Sequence, residues 1–263
     1  MGLVSLSYDR VGSGDPLVLL HGVTHRRQAW APVVDLLTPH RELILVDLPG
    51  HGESGPLDHD GRTALAQTLD ELIRLFGRLG IERPHVAGNS LGGRLALELG
   101  ALNAVRSVTT LSPAGFWRAN WDFAYTRAVF GTMRGVSRAL EPALPRLVHH
   151  TAGRGLMYAA IVAKPSQLDP SQALGDFEAF KIAWPSYKLI VREGTPFAEQ
   201  IPDDIPITVA WGSKDAMLPP YQAKRAKRAL PNARHLTLAG CGHVPMSDDP
   251  AQVAAVLLQG SAV

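Results

Sequence analysis

Ser90 lies at the centre of the motif GNSLG (residues 88–92), the single Gly-x-Ser-x-Gly pattern in this 263-residue sequence. A serine hydroxyl is a weak nucleophile, so it attacks a carbonyl only where a histidine takes its proton and a carboxylate orients that histidine. Flanking glycines allow a sharp turn between a strand and a helix, which exposes the hydroxyl. The pattern predicts a nucleophile at Ser90, although a glycine turn formed for backbone reasons alone has the same sequence.

A candidate acid and a candidate base follow Ser90, each directly after an apolar run. Asp215 ends the motif WGSKD after the run 207–211, and His243 ends GCGH after the run 235–239. If these runs are parallel strands, both residues lie at carboxyl ends, where such sheets hold their sites. The order serine, acid, histidine predicts a catalytic triad. A surface aspartate and a capping histidine are the alternatives.

Two backbone N–H groups are candidates for the oxyanion hole. Leu91 directly follows the predicted nucleophile, and Val23 lies in the loop after the apolar run 17–20. Such N–H groups stabilise the negative oxygen that forms when a serine attacks a carbonyl, and losing one typically slows catalysis about 10²–10³-fold.

Short apolar runs alternate with helical patterns on both sides of a long segment that lacks a strand pattern. Strands are predicted at residues 3–11, 17–20, 43–46, 85–87, 105–111, 207–211 and 235–239; helices are predicted at 28–37, 63–79, 91–102, 220–230 and 250–259. This alternation is typical of βαβ units and a mostly parallel sheet. Residues 1–113 and 203–263 therefore form one predicted α/β core domain, with residues 114–202 as a mainly helical insertion.

Five motifs stand in the order found in the α/β-hydrolase superfamily, which the sequence resembles over about residues 17–112 and 207–258. They are HG (21–22), DLPGHGES (47–54), GNSLGG (88–93), WGSKD (211–215) and GH (242–243). The resemblance implies an α/β-hydrolase fold, a central sheet flanked by helices, and a helical lid or cap at residues 114–202. It also implies a structural turn at residues 47–54, so His51 and Glu53 are not assigned to catalysis.

Within this superfamily, a serine nucleophile separates the chain from the epoxide hydrolases and haloalkane dehalogenases, which attack with aspartate. The first expectation is hydrolysis of a carboxylic ester or lactone of a small apolar or aromatic substrate through an acyl-enzyme. Asn89 and Cys241 also resemble the meta-cleavage-product C–C hydrolases, although Val244 and the residues after the HG motif depart from their pattern. A hydrolase-fold ligand receptor with little turnover is the third alternative.

Aromatic residues are concentrated in the predicted insertion, which contains 12 of the 17 in the chain. They either form an apolar wall for an acyl or aryl group or build the insertion's own core. Trp117, Trp121 and Trp184 are the predicted substrate-binding residues.

Composition limits which partners and cofactors the protein can be expected to bind. The net charge is +2 and Cys241 is the single cysteine, which argues against nucleic-acid binding, disulfides and a multi-cysteine zinc site. No apolar run reaches the length of a membrane span. We expect a small-molecule substrate, no metal or cofactor and a cytoplasmic location. The sequence is compatible with a monomer or a homodimer.

Overall fold

A seven-stranded sheet forms the centre of the computed structural model, which describes residues 5–57 and 61–262. In chain order the strands are β1 (Tyr8–Gly12), β2 (Pro16–Leu20), β3 (Glu42–Val46), β4 (His85–Asn89), β5 (Ser107–Leu111), β6 (Ile207–Gly212) and β7 (Arg234–Leu238). Their order across the sheet is β1-β3-β2-β4-β5-β6-β7. Strand β1 runs antiparallel to β3, and all other neighbours are parallel. The predicted α/β fold with a mostly parallel sheet is confirmed.

Helices follow most of the strands. They are α1 (Ala31–Leu37), α2 (Ala64–Leu79), α3 (Leu91–Ala101), α4 (Asn120–Leu140), α5 (Leu144–Leu147), α6 (Thr151–Tyr158), α7 (Pro170–Arg192), α8 (Tyr221–Ala229), α9 (Pro245–Asp248) and α10 (Pro250–Gly260). Short 3₁₀ turns lie at Arg27–Trp30, Glu141–Ala143 and Pro165–Gln167. In the described part of the chain, none of these helices combines the length and the apolar content that crossing a membrane requires.

The central strands are continuous apolar runs because helices cover the sheet. Leu17, Leu19 and Ile44 on β2 and β3 are completely or almost completely buried. Helix α1 packs with α10, and α2 packs with α3. Burial on both faces explains why these strands lack the alternation of apolar and polar residues that a half-exposed strand shows.

The sequence pattern predicts the start of helix α2 correctly but places the start of the first strand too early. Thr63 caps α2 by accepting a hydrogen bond from the Ala66 N–H group at 3.1 Å. Strand β1 begins at Tyr8, although the apolar pattern predicts a strand over residues 3–11. The Ser7 N–H group instead donates to Ser54 Oγ at 2.8 Å, and its carbonyl accepts from the Asp47 N–H group at 2.9 Å. The bond to Asp47 continues the register of β1 with β3, but Ser54 in the loop after β3 takes the Ser7 N–H group, and the strand begins one residue later. Residues 3 and 4 lie outside the described residues.

Residues 114–202, hereafter the inserted segment, join β5 to β6 through α4–α7. All of them are described, and they contain no strand. Aromatic rings pack within the segment: Trp184 stacks on Tyr187 with centroids 4.7 Å apart, and Phe130 lies 4.9 Å from Tyr187. These rings contribute to a small helical core above the sheet.

Candidate active site

Ser90 lies at the turn between β4 and α3, where the backbone is strained. Its φ is 55° and its ψ is −113°, outside the regions that L-residues ordinarily occupy. A conformation of this kind costs about 1–3 kcal/mol and persists only where the surroundings enforce it. Here the Ser90 N–H group donates to Leu111 O at 3.0 Å, and Ser90 O accepts from the Ala114 N–H group at 3.0 Å. Backbone bonds to β5 and to the chain beyond it therefore hold the turn.

Glycines at residues 88 and 92 allow the close approach that this turn needs. A Cβ atom on Gly88 would lie 2.1 Å from the carbonyl carbon and oxygen of Gly92, and one on Gly92 would lie 2.1 Å from Leu20 O. Both obstacles are backbone atoms, which cannot rotate away. Steric contact with these backbone atoms thus requires glycine at both positions. The expected strand–turn–helix arrangement around Ser90 is present.

Asp215 and His243 form a buried pair at the ends of β6 and β7. His243 Nδ1 lies 2.8 Å from Asp215 Oδ2, and the two residues are 4% and 2% exposed. The other carboxylate oxygen, Oδ1, accepts from the Met217 and Leu218 N–H groups at 2.9 and 2.7 Å. Because these bonds fix the carboxylate, Asp215 holds the imidazole with its proton on Nδ1 and leaves Nε2 as the acceptor.

Two residues to which the sequence analysis assigns no positioning role, Asn89 and Asp248, hold the His243 loop. The Asn89 side-chain amide donates to His243 O at 2.8 Å and to Leu111 O at 3.0 Å, which links the turn before Ser90 to the histidine. Asp248 accepts from the Gly242, Ala163 and Lys164 N–H groups at 2.7, 3.0 and 2.7 Å. From the sequence, an acidic residue shortly before Pro250 would be taken for a helix cap. Only the fold shows that Asp248 binds the backbone of the His243 loop.

Ser90 and His243 line one small cavity of about 20 Å³, hereafter the junction cavity. The residues around it are Val23, Thr24, His25, Ser90, Phe130, Met133, Ile161, His243 and Val244. Within the described part of the chain, the Ser90 hydroxyl forms no hydrogen bond, to His243 or to any other group. Hydrogen bonds between catalytic groups are commonly long before substrate binds and tighten in the complex. The structure thus brings the three predicted residues together, with His243 and Asp215 already paired.

Val23 and Leu91, the predicted oxyanion-hole residues, line a larger cavity together with Ser90, hereafter the first cavity. No described residue accepts a hydrogen bond from the backbone N–H group of either residue. Leu91 is also the first residue of α3, and a helix N-terminus carries partial positive charge. Each residue thus has a backbone donor without a partner among the described residues, and each lines the cavity that Ser90 lines.

The first cavity, of about 100 Å³, extends from Ser90 beneath the inserted segment. Its aromatic lining consists of Trp117, Phe123, Phe130 and Tyr187. Trp117 Nε1 is buried and has no hydrogen-bond partner among the described residues. Most of the remaining lining is apolar, which is typical of pockets that bind small molecules.

Trp121 and Trp184 lie elsewhere. Trp121 is 53% exposed with the Arg118 guanidinium over its ring, and Trp184 packs on Tyr187 and Phe180. Neither residue lines the first cavity, the junction cavity or the second cavity that is described next. Of the three predicted tryptophans, the structure places Trp117 at the site. Spacing along a helix does not indicate which face meets the sheet.

On the other side of the junction cavity lies a second cavity of about 350 Å³. It shares Thr24, His25, Met133 and Ile161 with the junction cavity, and its far wall comes from α4, α6 and α7. Tyr125, Tyr158, Phe177 and Phe180 are its aromatic residues. Eight of the 12 aromatic residues of the inserted segment therefore line the first or the second cavity, while others, such as Trp184, pack against them. Aromatic residues of this segment thus serve both as cavity wall and as core.

The histidines and arginines near the HG motif make structural contacts. Arg27 pairs with the carboxylates of Asp9, Asp47 and Glu53, which fastens the loop after β3. Burial and, after it, the neighbouring His243 lower the pKa of His25 to about 4, so the His25 ring is neutral at neutral pH. Among residues 5–57 and 61–262, no three or more metal-ligating side chains cluster.

Arg94, one turn after Ser90, ties the inserted segment to α3. Its guanidinium pairs with Glu98 at 2.6 Å and donates to Thr195 O at 2.9 Å. It also lies 5.1 Å from the centroid of the Phe197 ring. Because these contacts use the guanidinium group, Arg94 holds the end of the inserted segment beside the first cavity.

The fold and the arrangement of these residues agree with a family match. A model of the alpha/beta hydrolase family matches residues 17–256. The chain belongs to the α/β-hydrolase family. This result confirms the resemblance of the five motifs.

Individual relatives of this α/β-hydrolase include lipases and esterases. Lipase 1 of Psychrobacter immobilis is 29% identical over 248 residues, which cover 89% of this chain and 73% of the lipase. A pimeloyl-acyl-carrier-protein methyl ester esterase of Xanthomonas campestris is 29% identical over 272 residues, covering 95% of this chain and 96% of the esterase. These likenesses are consistent with ester hydrolysis.

A solved structure shares the fold. A meta-cleavage product hydrolase from Pseudomonas fluorescens superposes with a TM-score of 0.75 at 19% identity, covering 97% of this chain and 93% of that one. At this identity the likeness concerns the fold alone, and it does not carry the reaction of that hydrolase to this chain.

Proposed function

We propose that this α/β-hydrolase cleaves a carboxylic ester or lactone of a small apolar or aromatic substrate through an acyl-enzyme formed on Ser90. The observation that carries the proposal is the arrangement around the junction cavity. Ser90 lines both the junction cavity and the first cavity. His243, oriented by the buried Asp215 carboxylate, lines the junction cavity, while Leu91 lines the first cavity and Val23 lines both. Lipase and esterase relatives support the same class of reaction.

The proposed reaction has two halves. His243 Nε2 removes the proton from the Ser90 hydroxyl as the oxygen attacks the substrate carbonyl, and the carbonyl oxygen becomes negative between the Val23 and Leu91 N–H groups. The alcohol leaves with the proton from His243. Water then attacks the acyl group with His243 again as the base, which releases the acid and restores Ser90. Asp215 stabilises the charged imidazole throughout.

The substitution Ser90→Ala tests this proposal with p-nitrophenyl esters of short acyl chains. We expect kcat to fall by at least about 10³-fold, because the variant has lost the nucleophile. Ser171→Ala is the matched control, since Ser171 is exposed at the start of α7 and away from the cavities. An ester-cleavage rate in Ser90→Ala equal to that of Ser171→Ala would contradict the proposal.

The same protein samples separate the other two candidate functions. Turnover of a meta-cleavage dienoate without turnover of any ester or lactone would favour C–C hydrolysis. Labelling of Ser90 by a fluorophosphonate without turnover of any of these substrates would favour a ligand receptor.

A further inference from the structure

The catalytic groups lie between two chambers and not at the bottom of one. The junction cavity shares Val23, Ser90 and Phe130 with the first cavity, and His25 and Met133 are among the residues it shares with the second. A substrate whose scissile bond lies at Ser90 thus has room for one arm on each side.

The second cavity contains a buried carboxylate with no donor. Asp176 on α7 lines the cavity and is 7% exposed. No described residue donates a hydrogen bond to its carboxylate, and Oδ1 is fully buried. The nearby Tyr158 hydroxyl donates to Ala173 O instead. Buried polar groups are nearly always paired, and leaving one unpaired costs about 1–3 kcal/mol.

The charged and titratable neighbours of Asp176 favour a neutral donor as its partner. The Arg26 guanidinium lies against the α7 backbone, because a Cβ atom on Gly175 would lie 1.8 Å from Arg26 Nη2. This positive charge disfavours a cationic ligand group, while His25 in the same cavity is neutral at neutral pH. Burial raises the pKa of Asp176 to about 7, which is the expected response of a carboxyl group without close donors.

The rest of the second cavity is mainly apolar. Its walls include Val136, Met133, Phe177 and Phe180. An alkyl or aryl chain, which has no polar groups to desolvate, can therefore lie along them. A chain of this kind that ends in a hydroxyl would supply the donor that Asp176 lacks.

We propose that the second cavity is a specificity subsite for a substrate arm that ends in a hydroxyl group, with the Asp176 carboxyl as its hydrogen-bond acceptor. The proposal rests on the proposed ester or lactone hydrolysis, and it defines the substrate as a two-armed molecule with one purely apolar arm and one apolar arm with a terminal hydroxyl. A site built to pair with a hydroxyl rejects an analogue that lacks it more strongly than it rejects a change of chain length.

The test uses matched esters in two series, because either the acyl or the alcohol arm can enter the second cavity. Each series compares an ω-hydroxy arm with the alkyl, ω-methoxy and ω-amino arms of the same length, over chains of about four to eight atoms. The methoxy group keeps an oxygen but has no donor. In one series we expect kcat/KM of the wild-type protein to be highest for the hydroxy ester.

The variant Asp176→Leu should lower the ratio of kcat/KM for the hydroxy ester to that for the alkyl ester about tenfold or more, since the acceptor is gone. Glu178→Gln is the matched control, because Glu178 lies on the same helix with an exposed side chain outside the second cavity. Its ratio should equal that of the wild type.

Equal kcat/KM values for the hydroxy and methoxy esters in both series would overturn the subsite, and this comparison needs no variant to fold. An unchanged ratio in folded Asp176→Leu would overturn it too, as would a preference for the amino ester.

Calorimetry on the Ser90→Ala variant measures the dissociation constants of the hydroxy and alkyl esters without turnover. The same measurement on the double variant Ser90→Ala/Asp176→Leu shows the contribution of Asp176. If no ester is hydrolysed, the proposed function fails. The subsite then stands if the hydroxy ester binds about tenfold more tightly only where Asp176 is present, and it falls if the two esters bind equally.

Discussion

The strand ends around Ser90 and the helices of the inserted segment differ in how closely the chain packs. Gly92 touches the carbonyl oxygen of Leu20 so closely that even a methyl group would overlap it, and the same holds for Gly88 against Gly92. In contrast, a Cβ atom on Gly131, Gly135 or Gly155 in the inserted helices would meet no described atom within 4 Å. Backbone contacts hold the turn at Ser90, while these three helix positions leave space beside the chain. The contrast concerns these positions and not every inserted helix, since a Cβ atom on Gly153 of α6 would lie 2.0 Å from Leu147 O.

This difference has consequences for catalysis and for specificity. Asp215 and Ser90 are held by several backbone hydrogen bonds each, so their positions depend on the sheet. The cavities are walled mainly by side chains of the inserted segment, which can change without disturbing those bonds. Substitutions at the strand ends should therefore abolish activity or folding, and substitutions in the inserted segment should change which substrate is accepted.

The largest expected effect comes from Asp215→Asn. The amide oxygen should stay with the Met217 and Leu218 N–H groups, which turns the amide NH₂ toward His243 Nδ1. The imidazole would then carry its proton on Nε2 and could not accept one from Ser90. We expect kcat on a short p-nitrophenyl ester to fall about 10⁴-fold with little change in folding.

Asp35→Asn is the control for this substitution, since Asp35 is exposed on α1. A loss of less than about tenfold in Asp215→Asn would show that the carboxylate does not orient the base.

A paired glycine substitution tests the packing contrast itself. Gly92→Ala should lower the free energy of unfolding by about 3 kcal/mol or more, because its methyl group would overlap backbone atoms that cannot move aside. Gly131→Ala, in the exposed interior of α4, should instead raise it by about 0.5–1 kcal/mol, because alanine restricts the unfolded chain. Chemical denaturation of the two variants measures both changes, and similar midpoints would refute the contrast.

The smallest expected effect is a change in how stability depends on pH. The pKa of Asp176 is raised by burial from 3.8 to about 7, so the folded protein holds this proton more tightly than the unfolded chain does. The stabilisation is complete below about pH 4 and is lost as the pH rises through 7. Between pH 5 and pH 8, wild type should lose about 2 kcal/mol more stability than Asp176→Asn.

Denaturation curves of both proteins at several pH values give this difference. Arg26, Tyr158 and His25 are the charged or titratable groups near Asp176, and they are common to both proteins, so their contributions largely cancel. Parallel curves would show that the carboxyl group titrates as it does in water.

Much of the sheet and the chemical roles at the site could be predicted from local patterns. Leu17–Leu20 and the run before Asp215 are apolar because the strands are covered by helices, and that requirement is visible in the sequence. The first strand was predicted too early, since the Ser7 N–H group donates to Ser54, 47 residues away in a loop. Local periodicity contains no information about such a partner.

The predicted tryptophans show the same limit. Trp117 lines the first cavity, whereas Trp121 faces solvent and Trp184 packs into the aromatic core. Residue type indicates that an aromatic side chain will be buried or will bind, but only the angle at which a helix crosses the sheet decides which.

The amino-acid sequence by itself determined the fold class and pointed to Ser90, Asp215 and His243 as the candidate nucleophile, acid and base, because each follows a strand and the turn around Ser90 requires small residues. The tertiary structure decided that Asn89 and Asp248 hold the His243 loop and that Asp176 faces no donor. Those relations join residues far apart in the chain, and they exist only where packing brings a specific donor and acceptor within about 3 Å of each other.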